Sequence, residues 1–71
     1  MMDDQDFLHK VSMKTNVNIE LLKELSGNDK FWVLIKTGKT IDATIMIRSM
    51  QPRVGLREAK MVAEAFISEY K

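Results

Sequence analysis

The sequence predicts an α+β fold: one helix, a β-hairpin, then a helical hairpin packed on a small antiparallel sheet (α-β-β-α-α). Two observations predict it. Phe31-Trp32-Val33-Leu34-Ile35 is an unbroken apolar run of aromatic and branched residues bounded by Lys30 and Lys36, the composition of a short strand. Ala43, Met46, Ile47 and Met50 recur at i, i+3, i+4, i+7, and a second helical stripe follows from Leu56 to Tyr70. With 71 residues the chain has room for one core, so 1–71 is a single small domain.

Asp4 to Met13 reads as the first helix. Phe7, Leu8 and Val11 form its apolar stripe, and the early aspartates suit the positive end of a helix dipole. Lys14-Thr15-Asn16 ends it. The stretch 17–25 has two readings. Val17, Ile19 and Leu21 alternate as in a half-buried strand, whereas Ile19, Leu22 and Leu25 fit a helix that Asn18 would cap. A lone strand at 30–37 needs a partner for its backbone groups, which favours a strand at 17–23 and a hairpin across Ser26-Gly27-Asn28-Asp29. Thr37-Gly38-Lys39 is the next turn. A helix from Thr40 to Gln51 stops at Pro52, because the residue before proline is pushed out of the helical region.

Composition narrows the function. There is no cysteine, no apolar run of membrane-spanning length, and an acidic start unlike a secretory leader. These point to a cytoplasmic protein. The net charge of +1 hides a layout in which residues 1–35 are net −2 and residues 36–60 net +4. A local basic patch favours a partner with an acidic surface.

Catalytic and cofactor motifs do not emerge, so the expectation is a protein that is not an enzyme and holds no cofactor or metal. Gly38-Lys39-Thr40 resembles the end of a phosphate loop, but Val33 stands where the first glycine is required. His9 is the single histidine, and only Asp6 and Met13 accompany it on the helix. The methionines Met13, Met46, Met50 and Met61 read as core filling, with an adaptable contact surface as the alternative. On a sheet, Trp32 and Leu34 would face away from Phe31, Val33 and Ile35, offering a binding or homodimer surface unless the first helix covers them.

Residues 30–67 resemble the C-terminal domain of the bacterial ribosomal stalk protein. The likeness rests on Phe31–Ile35, the helix Thr40–Gln51, and Gly55-Leu56-Arg57-Glu58-Ala59-Lys60 opening the next helix. It departs from that family at Arg53, which replaces the first loop glycine, and in ending after the second helix. The helix at 4–13 and strand at 17–23 would then be the family's last helix and strand, permuted to the front. The resemblance implies a protein-binding surface at Lys39, Arg48, Val54, Gly55, Arg57, Glu58 and Lys60, and Arg53, the departure from that family, joins it as an outward-facing basic candidate in the same loop. The expected function is a protein–protein interaction module, an adaptor or regulator of a ribosomal, transcriptional or proteolytic machine; a virus-encoded inhibitor is equally compatible. The alternative is a small nucleic-acid-binding regulator, drawn by the six basic residues between 36 and 60.

Overall fold

The computed structural model describes residues 4–70, and they form five helices: α1 (Asp4–Thr15), α2 (Ile19–Ser26), α3 (Asp29–Lys36), α4 (Thr40–Met50) and α5 (Leu56–Tyr70). Among the described residues there is no strand. The α+β class is therefore overturned: both segments of the expected β-hairpin, 17–23 and 30–37, are helical.

Local signals account for this. Asn18 caps α2, its side chain accepting the Glu20 amide at 2.9 Å. Asn28 caps α3 in the same way, accepting from the Phe31 amide at 3.2 Å. Asp29 in the first turn and Lys36 in the last complement the α3 dipole. Its stop is a Schellman motif: Gly38, at φ 72°, donates to the Ile35 carbonyl at 3.1 Å, and Lys39 donates to Leu34 at 2.9 Å. The Gly-Lys-Thr segment is thus a helix end. Asn16, at φ 58°, terminates α1 by donating to the Ser12 carbonyl at 2.7 Å.

Burial follows the same logic. Phe31 and Ile35, four apart, are buried, while Val33 between them is 58% exposed. A strand would have put all three on one face. Trp32 and Leu34 are half-buried, packed against the core and not left free on a sheet face. With no sheet there is no open edge to complete by dimerisation, and the permuted strand at 17–23 has no counterpart.

Helix α5 is the organising element, packing against α1, α3 and α4, while α2 bridges α1 and α3. Phe66 of α5 stacks edge-on with Phe31 (centroids 5.0 Å, 88°) and also meets Trp32 and Phe7. Aromatic pairs at such angles add to the area they bury. Trp32 satisfies its indole by donating to the Ser26 carbonyl at 2.7 Å. Ala43, Ala59 and Ala63 are fully buried, and their short side chains let α4 and α5 sit close. No helix among the described residues is long and apolar enough to cross a membrane.

Candidate protein-interaction surface

The link between α4 and α5 is built to hold its shape. Gln51 follows the last turn of α4, and the Val54 amide donates to the Gln51 carbonyl at 3.0 Å. That closes a β-turn with Pro52 and Arg53 at its centre, proline taking the first central position that its fixed φ favours. Val54 tucks against the core and anchors the turn from within. The Gln51 side-chain amide also hydrogen-bonds the Glu24 carboxylate, tying the turn to α2. Arg53 is left exposed at the tip.

Gly55 opens α5, its carbonyl accepting from the Ala59 amide at 2.9 Å. It does not adopt a positive φ; among the described glycines only Gly38 does. The Glu58 carboxylate folds back over Gly55, where a Cβ would run into it. Glu58 also lies in the first turn, where its charge complements the helix dipole. These two roles explain Glu58 without a partner.

Of the expected binding residues, Lys39, Arg48, Arg53, Arg57 and Lys60 are all exposed. Four of them gather around the loop. Arg48 is in the last turn of α4, Arg53 tips the β-turn, and Arg57 and Lys60 lie one turn apart at the start of α5. Lys39 precedes α4 at the opposite end of that helix, nine residues from Arg48, or about 13 Å along the axis. Among the described residues the ion pairs are Lys14–Glu69 and Lys23–Glu20, so none of these five cations is neutralised by one.

Apolar residues missed by the sequence reading flank the cluster. Ile41 and Ile45, four apart on α4, are 76% and 61% exposed. Their spacing continues to Arg48 on the same outward stripe, to one side of the core residues Ala43 and Ile47. Leu56, the first residue of the apolar stripe expected for α5, is 61% exposed beside the loop. The signal was present in the sequence: Ile41 and Ile45 have helical spacing to each other but lie off the core stripe. The methionines divide, with Met46 and Met50 packed against the core and Met13 and Met61 exposed.

Two hollows lie elsewhere on the molecule. An open hollow of about 270 Å³ between α1 and α2 is lined by Asp6, Leu8, His9, Ile19 and Lys23. A groove of about 370 Å³ between α3 and α4 is lined by Lys30, Val33, Leu34 and Met46. Among the described residues no group of three or more His, Cys, Asp or Glu side chains is placed to hold a metal ion.

No family model, curated protein or solved structure matches this chain. The segment Phe31–Ile35, read as a strand from its composition and as part of the stalk-domain resemblance, lies within α3.

Proposed function

We propose that this chain is a protein–protein interaction module that binds an acidic partner surface through the outward face of the α4–α5 hairpin. The observation that carries the reading is the cluster Arg48, Arg53, Arg57 and Lys60. These residues are exposed, outside any ion pair among the described residues, and set beside the exposed Ile45 and Leu56, with Ile41 continuing the apolar stripe along α4. Clustered cations steer an acidic partner and fix its register. Adjacent apolar side chains supply area to bury, which a solvated charge cluster alone does not. The well-held turn presents the cluster with little left to order on binding. An adaptor or regulator of a larger assembly needs no more than this.

The alternative occupant of a basic cluster is nucleic acid, and the same experiment separates the two. Affinity capture from nuclease-treated lysate, with the wild-type chain and with Arg53→Ala/Arg57→Ala/Lys60→Ala, is expected to lose its partner in the variant while helicity by circular dichroism is unchanged. Retention of every partner by the variant overturns the hairpin surface. A mobility shift with generic DNA or RNA at moderate salt, with capture abolished by nuclease, would establish the nucleic-acid reading instead.

A further inference from the structure

We propose that the groove between α3 and α4 docks an acidic amphipathic helix of a partner protein. Its floor and walls are Leu34 and Met46, both half-buried, and the exposed Val33, with Lys30 on the rim. The groove is an open trough shared by two helices. A free small molecule gains affinity from enclosure, whereas a row of side chains on a helix needs only such a trough. Met46 adds an unbranched side chain that can adjust to what enters.

The charge of the occupant follows from the rim. On α3 the outward residues Lys30, Val33 and Lys36 follow i, i+3, i+6, so an exposed apolar side chain stands between two cations. Neither lysine forms an ion pair among the described residues. Asp29 lies next to Lys30, and Asp42 lies one turn before Met46 on the α4 side. The basic flank is therefore the α3 side, where the occupant's carboxylates would lie. Its apolar residues would fill the trough.

This site adds to the hairpin reading without depending on it. Met46 and Arg48 are two residues apart on α4, about 200° around the helix, so the groove and the basic cluster lie on different flanks.

The probe is a synthetic helical peptide of about 16 residues, long enough to hold some helix in water, with leucines at i, i+4 and i+7 flanked by glutamates. Binding is read from the ¹³C-methyl NMR signals of the methionines. The Met46 signal is expected to move while that of Met61, exposed on α5, stays. Lys30→Glu/Lys36→Glu should weaken binding about tenfold, the scale of two rim charge reversals. Arg53→Ala/Arg57→Ala should leave it unchanged. An unmoved Met46, equal binding of a peptide with lysines in place of glutamates, or loss of binding in the Arg53/Arg57 variant would each overturn the groove. Failure of the capture experiment above would touch the hairpin surface alone.

Discussion

Two glycines near the helix ends behave differently, and the difference is measurable. Gly38 holds φ 72° in the Schellman motif that stops α3, and a Cβ there would meet nothing within 4 Å. The whole cost of a side chain at 38 is conformational. Gly38→Ala is therefore expected to destabilise by about 1–2 kcal/mol in urea unfolding. Gly55 has no positive φ, and an added Cβ would meet only the flexible end of Glu58. Gly55→Ala should stay within about 0.5 kcal/mol of wild type. Equal losses at both positions would show that the 51–55 turn depends on glycine as much as the end of α3 does. The sequence directs attention to Gly55 because of its neighbours; only the backbone angle reveals that Gly38 is the constrained one.

The helical state of α3 can be tested in the same way. Val33 is exposed, so its replacement by alanine removes a β-branched side chain from a solvent-facing helix position. Val33→Ala is expected to stabilise by about 0.5 kcal/mol, whereas the same change in a strand would destabilise. Asn28→Ala should cost about 1 kcal/mol through loss of the cap to the Phe31 amide, with helicity and denaturant midpoint as readouts. α1, α4 and α5 were legible in the sequence, because each carries enough turns for its stripe to declare a period. α2 and α3 have eight residues each, and an apolar run of five satisfies strand and helix alike. The Asn18 cap was visible but was outweighed by the β-propensity of Phe31–Ile35 and the demand for a strand partner, a demand that disappears once neither segment is a strand. Asn28 was read only as part of a turn, and the structure makes it the cap of α3. The candidate surface divides similarly. The basic patch and the stalk-domain resemblance marked Arg48, Arg53, Arg57 and Lys60, and their exposure follows from charge, since cations of this kind are rarely buried. The distance of Lys39 from them, and the exposure of Leu56, depend on which way α4 and α5 run from their shared loop.

A domain of 31 × 24 × 18 Å buries little surface per residue, so contacts that join distant parts of the chain weigh heavily in its stability. The Lys14–Glu69 pair joins the end of α1 to the end of α5 at 2.7 Å, and the Glu69 side chain is only 15% exposed. The hydrogen bond from Lys14 holds the Glu69 carboxyl below the ordinary glutamate range. Partial burial opposes this, and the charges of Lys14 and Lys10 reinforce it. Over the interval between the two values the unfolded chain binds more protons at this position than the folded one, so stability rises with pH there. The contribution of the pair is complete above the ordinary glutamate range and disappears as pH falls through the lowered folded value. Urea midpoints of wild type and Glu69→Gln should therefore differ at about pH 7 and converge as pH falls below the lowered folded value of Glu69, where both carry a neutral side chain. Lys14→Met should reproduce the loss at neutral pH, and adding Glu69→Gln to it should cost little more, because the two residues act as one contact. A gap between wild type and Glu69→Gln that stays constant across this range would assign the effect to packing of the side chain, and the link from α1 to α5 would then be apolar, as in the contact of Phe7 with Phe66.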